Sequence, residues 1–125
     1  MNRYQSNQSD LPSLDGGDLM RRLVDDHELA VMVLEGFMDE SKDLICKIGE
    51  SLEEGDTQRV KETIHTLKGS SSNVSAKKVS NLCVQVEEEL NAGVGCAELK
   101  VWLDRIEEEM KDVMSEAEKF KKAKS

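Results

Sequence analysis

One stretch of this chain combines residue types that can carry out group transfer: Ile64-His65-Thr66-Leu67-Lys68-Gly69-Ser70-Ser71-Ser72-Asn73. A neutral imidazole is nucleophilic, and with an unperturbed pKa of about 6.5 it is largely uncharged at neutral pH without a buried base to activate it. On a helix, Lys68 three residues on and Lys61 four residues back share the face of the His65 ring. A phosphoryl group held on that ring would find cations beside it. Gly69 falls one turn beyond His65 on nearly the same line, and Ser72 continues the path. Glycine there costs helix propensity but lets the backbone of another molecule approach the ring.

The charge map singles out the same region. The chain carries 26 acidic and 17 basic residues, a net charge of -9. Between Arg59 and Lys78, however, five basic residues (Arg59, Lys61, Lys68, Lys77, Lys78) meet one acid, Glu62, a local balance of +4 that leaves -13 on the remainder. A cationic patch therefore sits on an acidic protein. The overall acidity excludes general nucleic-acid binding, because phosphates would be repelled by most of the surface.

Other chemistries find less support. His27 and His65 with Cys46 or Cys83 could ligate a metal or haem, but the chain has no His-x-x-x-His pair, and Cys83 lies on a core stripe. His27, between Asp25-Asp26 and Glu28, reads as a helix-start residue. No Gly-rich loop followed by Lys-Ser or Lys-Thr is present, and Gly93-Val-Gly95 is too short, so autonomous use of ATP is not expected. Three widely spaced cysteines, Cys46, Cys83 and Cys96, spell out no disulfide framework, and reduced thiols are expected. No apolar run reaches the roughly 18 residues of a membrane span, and the polar opening MNRYQSNQSD is unlike a secretory signal. A cytoplasmic monomer is the expectation.

The elements that must position His65 follow from composition and periodicity. With 34% charged residues, 3% aromatic residues and proline only at Pro12, the chain suits helices better than a β sandwich. Residues 1–13 read as a flexible tail and 123–125 as a frayed end, leaving one domain over 14–122. A short helix is expected at about Asp15–Val24. From His27 to about Glu54, apolar residues recur at steps of three, four and seven: Ala30, Leu34, Phe37, Leu44, Ile48, Leu52. Leu29, Met32 and Val33 widen this surface to a second face, which the short helix is expected to cover. Gly55-Asp56 marks a stop and a new start. The third helix covers about Thr57–Asn73 on the stripe Val60, Ile64, Leu67, Val74, from whose centre His65 projects about 140° away. The fourth starts near Ser75 or Ala76 and carries Val79, Leu82, Cys83, Val86 and Leu90. The fifth carries Leu99, Trp102, Leu103, Ile106, Met110, Val113, Ala117 and Phe120. The acidic runs Glu87-Glu-Glu89 and Glu107-Glu-Glu109 read as solvated faces, and Trp102 and the six methionines as core or core-edge filling. Short connections make consecutive helices antiparallel, so the expected fold is all-α: an up-down-up-down four-helix bundle with a short amino-terminal cap helix.

The stretch His65-Thr-Leu-Lys-Gly-Ser-Ser72 closely resembles the phosphoacceptor signature of histidine-containing phosphotransfer (HPt) domains of two-component phosphorelays. The likeness continues through Asn73-Val-Ser-Ala and Leu82-Cys83 to Glu87 and loosely covers residues 19 to 115. One residue departs from the pattern: where the family usually has glycine after Asn-Val, this chain has Ser75. Either a positive φ there strains serine by roughly 1 to 2 kcal/mol, or Ser75 caps the fourth helix. The resemblance implies that His65 carries a phosphoryl group between aspartates of receiver domains, with Lys68 stabilising the phosphate and Gly69, Lys61 and Ser72 flanking access and docking. It also implies receiver domains and a hybrid sensor histidine kinase as partners, no cofactor of its own, and Mg²⁺ on the receiver. The end at Ser125 favours a free-standing shuttle over an excised kinase module. The rival reading is a non-catalytic adaptor bundle whose cationic face binds an acidic partner, with His65 incidental.

Overall fold

The computed structural model describes residues 11–123, and over that span it contains five helices: α1 (Gly16–Arg22), α2 (His27–Glu54), α3 (Thr57–Asn73), α4 (Lys77–Asn91) and α5 (Cys96–Lys122). Most of the expected tail, residues 1–10, and residues 124–125 of the expected frayed end lie outside the described residues. Three helix starts are fixed by aspartates. Asp15, Asp26 and Asp56 each accept the backbone N–H of the residue three positions on, Asp18, Leu29 and Arg59, satisfying donors that the first turn leaves open. Gly55, at φ +71°, closes α2 in the left-handed conformation that glycine adopts without a Cβ clash.

The four long helices form the expected bundle, α2 packing on α3 and α5, and α4 on the same two partners. Its interior takes one stripe from each, including Leu34 and Ile48 from α2, Ile64 and Leu67 from α3, Val79 and Leu82 from α4, and Ile106 and Val113 from α5, all at most 2% exposed. Each such side chain contributes about 1.5–3 kcal/mol relative to an exposed position. The methionines divide: Met110 is buried, whereas Met32 and Met114 are 68% and 48% exposed, so the core-filling expectation fails for those two.

The cap helix sits elsewhere than expected. Leu29 and Met32 stay uncovered, at 41% and 68% exposure, because α1 docks instead on the α3–α4 turn. Ser75 makes that connection. It adopts φ +61°, so it takes the strained alternative, while Ala76 occupies the N-cap of α4 without a side-chain bond. Its carbonyl accepts the Asp15 N–H at 2.9 Å, and its hydroxyl donates to Asp18 Oδ2 at 2.6 Å. Lys77 pairs with Asp15 at 3.0 Å on the same seam. A glycine would relax the backbone; the serine holds α1.

Replacing Ser75 by Ala keeps the strain and removes the tether, whereas Ser75→Gly removes both. Ser75→Ala is therefore expected to be the less stable of the two in urea unfolding. The hydrogen bond from Ser75, followed by that from Arg22, holds the Asp18 carboxyl down at about 2. A pKa lower in the folded state gives stability that is present above the ordinary carboxylate range and is lost as pH falls from about 4 towards 2. Wild type should thus lose more stability than Ser75→Ala between pH 6 and pH 3; equal losses would dissociate Ser75 from Asp18.

Candidate functional site

His65 is placed by the packing of its neighbours. Ile64 and Leu67 are 1% and 0% exposed, which locks the rotation of α3 and turns His65 outward with 74% of its side chain in solvent. The ring is not alone there. Its Nδ1 lies 3.4 Å from Oε2 of Glu87 on α4, whose Oε1 accepts a hydrogen bond from Lys68 Nζ at 2.8 Å. A carboxylate accepts, so the Nδ1 that faces it carries the proton. The lone pair of Nε2, the nucleophilic one, is then left for solvent and for an incoming group.

Glu87 belongs to the acidic run expected to be a solvated face, and its place in the site corrects that expectation. Only 21% of its side chain is exposed. Partial burial pushes its carboxyl pKa up, but hydrogen bonds from Lys68 and His65 outweigh this and hold it below the ordinary range. Ser80 and Glu87, seven residues apart, share the edge of α4 that faces α3. Ser80 Oγ lies 2.7 Å from Ser72 Oγ, so Ser72 joins the two helices. That shared edge was the available sequence signal, hidden because three consecutive glutamates look uniformly solvated.

Lys68 is correspondingly less free than its sequence position suggests, 31% exposed and paired. Lys61 is exposed on the preceding turn. Gly69 is exposed, and a Cβ built on it would meet nothing within 4 Å. Beneath the pair, burial, followed by the nearby Glu87 charge, pushes the Cys83 thiol up to about 12, so it remains a protonated core side chain.

The remaining candidates do not converge on His65. His27 Nε2 is 2.9 Å from the Phe120 carbonyl, and its ring stacks on Phe120 at 4.9 Å, tying the start of α2 to the end of α5. Glu62 stands three residues before His65, a Glu-x-x-His spacing found in metal bundles, but its carboxylate accepts from Gln58 at 3.2 Å. Among the described residues no three His, Cys, Asp or Glu side chains gather as a metal site, all three cysteines are free, and no helix is long and apolar enough to cross a membrane.

Comparison with known proteins agrees with this geometry. Residues 32–120 match the model of the Hpt domain family. Over 54 residues the chain is 43% identical to histidine-containing phosphotransfer protein 1 of rice, Oryza sativa subsp. japonica, an alignment that covers 42% of this chain and 37% of the rice protein. The chain thus spans little more than a third of that relative. Two solved structures share the fold. One is the HPT domain of a Shewanella Hpt sensor hybrid histidine kinase, with TM-score 0.74 and 21% identity, over 90% of this chain and 97% of that one. The other is histidine-containing phosphotransfer protein B of Pseudomonas aeruginosa PAO1, with TM-score 0.78 and 24% identity, over 91% and 98%. A helical bundle with an outward imidazole at its centre, matched by a family model over most of its length, makes this chain a member of the Hpt domain family.

Proposed function

We propose that this protein is a phosphorelay carrier: His65 Nε2 accepts a phosphoryl group from the aspartyl phosphate of one receiver domain and yields it to the aspartate of another. The observation that carries this reading is the exposed imidazole with its Nδ1 turned to Glu87 and Lys68 at hand. In the forward step the Nε2 lone pair forms the N–P bond while the P–O bond to the aspartate breaks, its electron pair leaving with the carboxylate. Nδ1 keeps its proton, so the phosphorylated ring faces Glu87 as a cation. Phosphoryl transfer is governed by positioning and charge neutralisation. Lys68 is within reach to exchange Glu87 for phosphoryl oxygens, and the receiver brings Mg²⁺ and its own groups. In this role the chain is a carrier and no kinase.

Receiver docking uses α2 together with α3. Glu50 and Glu54 of α2 pair with Arg59 of α3 at 3.6 and 3.4 Å, which identifies the α3-facing side of α2. Met32 precedes Glu50 by eighteen residues, about five turns, and so shares its azimuth. Met32 and Leu29, which α1 leaves uncovered, give this side an apolar footing for a partner.

The direct test is a screen of phosphorylated receivers, following an acid-labile, base-stable label on this protein. Failure of every receiver, with a basic face that still captures acidic proteins, would favour the adaptor reading. Within this scheme Lys68→Ala should slow transfer by about tenfold or more while the protein stays folded, with Lys68→Arg recovering part of the rate. Equal single-turnover rates for wild type and Lys68→Ala would remove Lys68 from the site.

A further inference from the structure

We infer that the groove between α4 and α5 is a docking site for a basic segment of a partner protein, on a different seam of the bundle from His65. The groove, about 350 Å³, runs along one stripe of α5: Val101, Asp104, Arg105, Glu108, Glu109 and Asp112 line it, with Leu82 of α4 as the opposite wall. Four carboxylates thus face one guanidinium in the lining, with Glu108 also paired at 3.0 Å to Lys111 of its own helix. That guanidinium lies over the Trp102 ring, 4.8 Å from its centroid, which occupies it on its own helix.

Excess acid on a helix is ordinary, and a second feature distinguishes this stripe. Glu109 is only 9% exposed, and its Oε2 has no hydrogen-bond partner. The other half-hidden carboxylates are provided for: Asp18 accepts from Ser75, Arg21 and Arg22, and Glu87 from Lys68 with His65 alongside. Burial pushes the Glu109 carboxyl pKa up, eased first by a hydrogen bond from Ser13 and then by the Lys78 charge, so that Oε2 alone is left without a donor. A buried carboxylate oxygen without a donor is costly and uncommon in folded proteins. A guanidinium or ammonium group seated in the groove supplies that donor.

The rest of the lining fits a basic side chain along its length. Val101, 50% exposed, offers apolar surface to the aliphatic stem of a lysine or arginine whose charged head reaches the acids. Asp104, Glu108 and Asp112 recur at one-turn intervals of about 6 Å. Basic residues spaced four apart on a partner helix laid in the groove would meet them in turn. The α3-facing edge of α4 carries Glu87 and Ser80, so the groove lies on the other side of α4 and leaves the His65 face open.

A capped fifteen-residue helical peptide with three arginines four residues apart tests this on the full chain, by fluorescence anisotropy and by amide chemical shifts. Shifts should centre on Leu82 and residues 101–112, and the Glu109 carboxyl resonance should move. The triple variant D104N/E108Q/D112N should bind about tenfold more weakly. The charge-matched control E28Q/E40Q/D43N, on the exposed face of α2, should lose less than about twofold if only long-range attraction is altered. Shifts spread over the whole acidic surface, or equal losses in the two triple variants, would overturn the site. Neither outcome bears on transfer to His65, which is measured separately.

Discussion

His65→Gln is expected to lose phosphoryl acceptance completely while unfolding at a urea midpoint close to that of wild type. The structural half of this expectation follows from the position of the ring. With 74% of the side chain in solvent and one polar neighbour at 3.4 Å, there is little packing to lose, and exposed substitutions of this kind usually change stability by less than about 0.5 kcal/mol. Glutamine also carries an N–H that can face Glu87, so the carboxylate is not stranded. The chemical half is absolute, because an amide nitrogen has its lone pair delocalised and does not attack phosphorus. Nor can the second histidine substitute. His27 has its Nε2 against the Phe120 carbonyl at 2.9 Å and its ring stacked on Phe120, so the ring is engaged at the junction of α2 and α5. The check is transfer from a phosphorylated receiver that labels wild type, read as acid-labile, base-stable label on the variant. Undiminished labelling would move the phosphoacceptor away from His65; a lost label with a collapsed midpoint would make His65 a structural residue.

How much of this was legible in the sequence depends on what each residue's signal competes with. The limits of α2 and α3 were readable because Asp26, Gly55 and Asp56 act locally: a cap or a left-handed terminator needs no knowledge of the rest of the fold. The outward direction of His65 was readable because the stripe of α3 is a matter of angle alone. Contacts between helices were not. Glu87 and Lys68 are nineteen residues apart and meet only once the rotation of α4 against α3 is set. Ser75 had two local readings, cap or strained turn, and the choice was made by Asp18, 57 residues earlier in the chain. For the same reason the apolar pattern points α1 to the wrong surface. Its stripe is short, with Leu19 its one fully buried residue, so polar tethers at Asp15 and Asp18 outweigh the apolar invitation of Leu29 and Met32.

Gly69→Phe should separate access from folding. A glycine inside a helix costs about 1 kcal/mol relative to alanine, and nothing within the molecule requires one at this position: a Cβ there has no neighbour within 4 Å, and the residue faces solvent on the turn after His65. A larger side chain should therefore hold or raise the unfolding midpoint. The same side chain stands beside the imidazole, on the line by which a receiver's aspartyl phosphate must come within about 3–3.5 Å of Nε2. Displacement of that approach by even about 1 Å can cost about a hundredfold in rate, so transfer from a receiver should fall by at least that factor. A small donor has no such surface to dock, and phosphoramidate should label Gly69→Phe at close to the wild-type rate. That pairing of results assigns Gly69 to partner access. A variant that accepts phosphoryl normally from receivers would show that they reach His65 from the other side of α3, and one slowed equally towards both donors would mean that the new ring disturbs the imidazole itself.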